Sequence, residues 1–258
     1  MVTTSIRPSA TASSARPGAT WPRALRASLP RSAKSPSAFV GDVTVPRAIE
    51  LVERYFGHIT HRAQPRRAPV APLPPLSEPV RVEVADEVPN DRIHLAFRLP
   101  AEGGDTRDEF LAASMALDCL GGLSFSPLEQ TLVRDEQLAN SVDVGAMGFV
   151  DGVSLGLVVA DVADGVDTDA LEERICAELT AFADAGPTPE QMEAVRAQAE
   201  RGWLSALAAK DERADIIGHY TCLHDDPGYV NTFLDHLAAV TAEQVQAAAD
   251  RWLRPQSR

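Results

Sequence analysis

The sequence is short of cysteine, of basic residues and of several catalytic signatures, and each shortage removes a class of function. Three cysteines, Cys119, Cys176 and Cys222, stand far apart in 258 residues, with no Cys-x-x-Cys pair. A disulfide framework is therefore not expected, and a reducing compartment, the cytoplasm, is the expected location. Cys119 and Cys176 fall in apolar periodic runs and are expected to be small core residues. Lys and Arg number 24 against 37 Asp and Glu, a formal net charge of −13. Such acidity excludes general nucleic-acid binding, which needs a basic footprint. No run approaches the roughly eighteen apolar residues of a transmembrane helix, so no membrane span is expected. The N-terminus is basic, but Pro22, Arg23, Arg26 and Pro30 interrupt the stretch where an apolar run would have to stand, which argues against a secretory signal. An Arg- and Ser-rich stretch without acids is also the look of an organelle transit peptide, and that alternative stays open.

The motifs of familiar active sites are missing too. Ser124 and Ser126 lie in no Gly-x-Ser-x-Gly elbow. "LGGLS" (120–124) lacks the Gly-Lys-Ser/Thr of a phosphate loop and comes after a helix-like run, so it reads as a tight helix connection. The acidic stretch from Asp161 to Glu173 lacks EF-hand spacing. The six histidines, His58, His61, His94, His219, His224 and His236, form neither His-x-x-Glu-His nor His-Glu-x-x-His. "HYTCLHDD" (219–226) is the one dense group of metal-capable side chains. His219 and Cys222 would share a face if helical, but no second cluster supplies further ligands. A helix end followed by a turn is the favoured reading. Trp203 and Trp252 fall at apolar positions of helical runs and are read as packing anchors.

The chain is nonetheless 45% hydrophobic, enough for one large or two small cores. Residues 1–37 are Ala, Ser, Arg and Pro without period; they hold six basic residues and no acid, and are expected to be disordered. "AFVGDVT" (38–44) reads as a short strand. Residues 46–58 read as a helix with Ile49, Val52 and Phe56 on one face. Residues 62–79 carry six prolines and read as an extended linker. Alternation predicts strands over 80–88 and 91–100, and again over 138–149 and 152–162, the last nearly all apolar. Four capping boxes are expected, at Thr106, Ser126, Thr188 and Thr241. Helices are expected over 168–184, over 188 to about 222 as one long helix or a pair broken near Gly218, and over 241–253, with a turn at "DDPGYV" (225–230). Helices grouped against strands in this way predict an α+β fold: one antiparallel sheet covered on one face by helices.

Several segments in this order resemble the insulinase/pitrilysin family of zinc metallopeptidases. "FVGDVTVPRAIELVERYFGHI" is similar to the end of the family's first domain, and the proline-rich linker stands where the family has one. "IHLAFRLPAEGGDTRDEFLAASMALDCLGGLSFSPLEQTLVRDEQLANSV" resembles the core of its second, non-zinc-binding domain. "LTAFADAGPTPEQMEAVRAQAERGWLSAL" and "AAVTAEQVQAAADRWLRP" resemble its closing helices. The resemblance implies a pitrilysin-like domain over 80–258, a remnant of the first domain over 38–61, and a chain truncated at its N-terminus. The family hydrolyses peptides with zinc held by His-x-x-Glu-His, and that motif is absent. No catalytic residue, no metal ligand and no cofactor is therefore expected in this chain. The family's substrate-binding Arg and Tyr fall on Val133 and Asn140, with Arg134 beside the Arg column. Asn140 is the sole substrate-binding candidate, by position only, since its amide can still donate a hydrogen bond. The implied partners are a homologous or catalytic peptidase subunit and a peptide substrate, with no nucleic acid and no membrane. Two roles stay open: a non-catalytic scaffold or partner interface, and a working half that builds a peptide-degrading chamber with a separate zinc-bearing subunit.

Overall fold

The computed structural model describes residues 38–59, 73, 79–85 and 87–255. The stretch expected to be disordered, 1–37, and nearly all of the proline-rich linker lie outside these residues. The described residues fall into two compact units, one made of 73–202 and 232–255, the other of 38–59 and 203–231.

In the larger unit, period-2 sequence becomes three antiparallel strands: β1 (Arg92–Leu99), β2 (Ala139–Met147) and β3 (Ser154–Val162). Their order is β1-β3-β2. Phe97 pairs with Gly156 across β1 and β3, and Val144 with Val158 across β2 and β3. Ile93, Leu95, Phe97 and Leu99 all point to one face and are buried, as alternation requires. Helices cover that face, so the sheet is packed on one side as expected.

The covering helices are α2 (Arg107–Gly121), α3 (Thr168–Ala185) and α7 (Ala242–Trp252). α2 packs on both α7 and β2, and α7 on α3 and β1. Leu117, Leu120, Leu171, Ile175, Val245 and Leu253 are fully buried between the layers. Three side-chain hydrogen bonds fasten these helices to one another at their rim. Glu109 Oε1 accepts from Trp252 Nε1 at 3.0 Å and from Arg251 at 2.8 Å, while Gln246 donates to the Asp184 carbonyl at 2.7 Å. Trp252 thus anchors a helix end, as read from sequence. Cys119 is fully buried, whereas Cys176 is half-buried and Cys222 exposed.

Two of the four expected capping boxes form. Thr241 accepts from the Gln244 amide and Gln244 reaches back to Thr241. Thr188 and Gln191 do the same ahead of α4 (Pro189–Ala208). Thr106 instead donates to the Ala101 and Gly103 carbonyls. Ser126, buried, accepts from the Leu123 amide and donates to the Asp118 carbonyl. Neither hydroxyl is left over for a box.

In the smaller unit, α1 (Val45–Phe56) has Pro46 in its first turn and no buried residue. α5 (Lys210–Leu223) begins after a break at Ala209, whose ψ of 133° is extended, and not near Gly218. α6 (Tyr229–Ala239) starts in this unit and was not expected. Its first residue sits inside the predicted turn, where Asp226 Oδ1 accepts from the Gly228 amide. The strands expected at 38–44 and 80–88 do not form. Val80, Val82 and Val84 are exposed, so alternation without burial of one face does not build a strand there.

The Leu120-Gly-Gly corner depends on close approach. A Cβ at Gly121 would lie 2.6 Å from Cγ1 of Val144. Gly121→Ala is expected to lower the unfolding midpoint, at a cost of about 1–3 kcal/mol for overpacking. Val144→Ala in the same chain should return most of it, leaving a favourable coupling in the double-mutant cycle. Thermal unfolding of the four proteins checks this, and strict additivity would refute it.

Candidate functional site

The stretch after α2 holds the positions expected to grip substrate, and its backbone is irregular twice. After Ser126 the chain enters a π-helix, Glu129–Asp135. The Glu136 amide donates to the Thr131 carbonyl at 3.0 Å, and the Leu138 amide closes the end on the Leu132 carbonyl at 2.8 Å. Gln137, at φ 51°, turns the chain out of the helix in the left-handed region. The π-helix stacks residues five apart, and Arg134 accordingly lies 3.5 Å from Glu129. Thr131 donates to Glu178 at 3.2 Å, and Arg174 of α3 holds Glu136 at 2.9 Å and Glu178 at 2.7 Å. These bonds, Glu136 first, hold the Arg174 guanidinium above its ordinary pKa.

The second irregularity is a bulge at the start of β2. Ala139 pairs with Val162 and Ser141 with Asp161, so Asn140 is an extra residue. A bulge re-aims the side chain at its centre. Asn140 is exposed, and its amide nitrogen donates to the Val162 carbonyl at 3.1 Å. Leu132 is buried and Val133 packs against the core, while Arg134 faces solvent. Val133 and Asn140 thus stand on the π-helix and the bulge respectively, a helix turn and a strand start that sequence periodicity did not distinguish from regular ones. π-turns and bulges recur at functional sites in proteins generally.

The sheet face away from the helices borders the bulge. Leu155, Leu157 and Val159 of β3 point outward and are half-buried. Ala96 and Gly145 flank Leu157, and Arg98 and Met147 flank Leu155. At one end Arg92 pairs with Asp161, which also accepts from Ser141 at 3.2 Å. The Arg92 bond is the main reason the Asp161 carboxyl lies below its ordinary pKa. His94 is lowered, chiefly by burial and next by the Arg92 charge. This side is an apolar strip with a charged end, and the apolar run of 152–162 was its signal in the sequence.

"HYTCLHDD" is a helix end, as favoured from sequence. His219 lies on α5, His224 caps it and Asp225 takes a φ of 52°. The His219 and His224 rings each lie 5.1 Å from Tyr220, which also meets Tyr229 at 4.7 Å and Trp203 at 6.3 Å. The His219 and His224 rings lie 5.4 Å apart, and the other described histidines stand elsewhere. His94 is on a strand, and His236 lies 3.5 Å from Asp108. His58 comes after the end of α1, and His61 is outside the described residues. No described helix is long and apolar enough to cross a membrane.

The family model described as peptidase M16 inactive domain matches residues 34–199. No curated protein matches the sequence. Among solved structures, a protease from Helicobacter pylori matches with a TM-score of 0.73 at 20% identity, over 84% of this chain and 52% of that one. An M16-like peptidase from Alicyclobacillus acidocaldarius matches with a TM-score of 0.71 at 19% identity, over 84% and 51%. The inactive peptidase domain of a zinc protease from Bordetella parapertussis matches with a TM-score of 0.58 at 20% identity, over 67% and 90%. The chain thus spans about half the length of the first two of these relatives. At such identities these likenesses show the fold.

Asp118 lies near the end of α2, one residue before Cys119. Burial pushes its carboxyl up to about 6, from an ordinary 3.8. Burial first, and the Asp118 charge second, push the Cys119 thiol up to about 12, which keeps it a thiol. A carboxyl raised on folding adds stability that is full below its unfolded pKa and is lost as pH rises through its folded pKa. Between about pH 4 and 7 the chain should therefore lose roughly 1–3 kcal/mol at this residue, at about 1.4 kcal/mol per pKa unit. Asp118→Asn should raise the unfolding midpoint at pH 7.5 clearly more than at pH 4.5. An equal shift at both pH values would show that the residue does not titrate this way.

Proposed function

The chain belongs to the peptidase M16 inactive-domain family, and from that premise we propose that it serves as a non-catalytic half of an insulinase-type zinc peptidase, as scaffold and partner interface. The observation that carries this reading is the segment from Leu117 to Val144. It keeps two costly backbone irregularities, while Val133 packs on the core and the Asn140 amide is engaged by Val162. A valine can neither polarise a peptide carbonyl nor pair with a carboxylate. The sequence also holds no His-x-x-Glu-His, so this half supplies neither zinc nor a general base. Its contribution is a packed core and exposed surface.

A second reading is favoured by the outward sheet face. Leu155, Leu157 and Val159 form an apolar strip beside the bulge, and such a wall suits a chamber for unfolded peptide. In that case this chain closes a chamber with a separate zinc-bearing subunit and raises its turnover.

Incubated with zinc and an unfolded peptide, the full chain alone is expected to give no chelator-sensitive cleavage. Sustained cleavage abolished by EDTA would sink the non-catalytic reading. Co-expression with a zinc-bearing M16 subunit separates the two roles. A complex with raised peptidase rate supports the chamber, and a complex with unchanged rate supports the scaffold.

A further inference from the structure

Sequence spacing sets His219 and His224 apart, and the fold brings them together. Five residues along a regular α-helix turn through about 500°, which leaves two such side chains roughly 140° apart around the axis. By spacing alone Cys222, three residues on, is the nearer neighbour of His219. The structure nonetheless sets the two imidazoles side by side, with ring centroids 5.4 Å apart and planes tilted by 44°. A ring nitrogen of His219 lies within 4.8 Å of a ring nitrogen of His224.

The end of α5 produces this pairing. α5 stops at Leu223, and His224 caps it at φ −107° and ψ −6°. The Tyr220 carbonyl accepts from the His224 amide at 3.2 Å and from the Asp226 amide at 3.1 Å, while Asp225 between them takes a φ of 52°. This closure turns the chain back on the last helical turn and carries the His224 ring toward His219. The Tyr220 ring braces both imidazoles, with its centroid 5.1 Å from each. Tyr220 is itself buried, and its ring packs on that of buried Tyr229 at 4.7 Å. Imidazoles braced in this way lose little freedom when a ligand binds.

The donor set and its setting say which ligand. Imidazole nitrogen suits the borderline transition metals, and histidine is their commonest protein ligand. The last carbonyls of α5 carry the negative end of the helix dipole, which favours a cation there. Asp225 and Asp226 follow directly and add negative charge. Two nitrogens at about 2.1 Å from one ion stand at most about 4 Å apart. The broad χ2 torsion of histidine covers the remaining distance.

We propose that His219 and His224 form a two-imidazole site for a borderline divalent transition metal at the end of α5, with water in the remaining positions. Magnesium and calcium take oxygen ligands and do not suit these donors. The inference concerns binding alone and goes beyond the reading of the chain as a non-catalytic half.

The test titrates the untagged full chain with Ni²⁺ alone and reads binding by calorimetry. One ion per chain is expected, and no comparable binding of Mg²⁺. His219→Gln and His224→Gln should each weaken the binding about tenfold or more, since each removes one of two protein ligands. His224→Phe keeps a ring against Tyr220 and should weaken it as much, which separates a lost ligand from lost packing. Cys222→Ser and His58→Gln should leave it unchanged. All of these variants should unfold near the wild-type midpoint in the absence of metal. Failure to bind Ni²⁺, equal binding of Mg²⁺, binding that survives the His219 and His224 variants, or binding lost with Cys222→Ser or His58→Gln would each overturn the inference. No peptide enters this assay, so its failure leaves the non-catalytic reading in place.

Discussion

The central strand of the sheet can accept its helices only because its inner row is small. Along β3 the buried residues are Ser154, Gly156, Val158, Ala160 and Val162, none larger than valine. At Gly156 an added Cβ would stand 3.2 Å from both Leu117 and Leu99. The large side chains come instead from β1 and α2, which fill the space that β3 leaves. That division fixes how near α2 lies to the sheet, and with it the approach of Gly121 to Val144. The π-helix and the bulge hang from the end of α2 and the start of β2, so their positions are inherited from the same close contact. Interiors packed to crystal-like density transmit such constraints over several elements.

β1 was legible in the sequence because it buries one face and turns the other outward, and β3 because it is a nearly unbroken apolar run. Ile93, Leu95, Phe97 and Leu99 alternate in sequence and in burial alike. The Thr188 and Thr241 boxes were legible because both hydroxyls sit at helix starts with nothing else to bond. Ser126 shows the limit. The same signature fails there because burial gives the hydroxyl competing backbone partners. The valines at 80, 82 and 84 show another, since alternation without burial of one face does not make a strand. The break at Ala209 lay in a run of good helix formers, with a glycine nine residues on as the more obvious interrupter. α6 was hidden by the Asp-Pro-Gly turn signal in front of it.

The shape of the candidate segment was illegible in the sequence. The family resemblance pointed to Val133 and Asn140, yet a π-helix and a bulge have no period of their own to read. The half-buried carboxyl of Asp118 was equally hidden, because an acid on a helix ordinarily faces solvent. The functional reading therefore stands on a mismatch between levels. The backbone carries a π-helix and a bulge, and Val133 on the first packs against the core while Asn140 on the second bonds the Val162 carbonyl. Conflicts of this kind between local rule and fold mark functional or once-functional ground.

The π-helix and the bulge each hold one residue more than a regular element would, and they stand five positions apart. Each works as a slack link. Removing one codon between Leu128 and Ser141 can be absorbed by tightening the π-turns to α-turns or by flattening the bulge, with the core contacts on either side unmoved. Such a slip turns the residues in between by about 100° around the helix axis. It would carry Arg134 into the inward place that Val133 now holds. Whether a cation faces the strand here is thus decided by chain length as readily as by a change of residue.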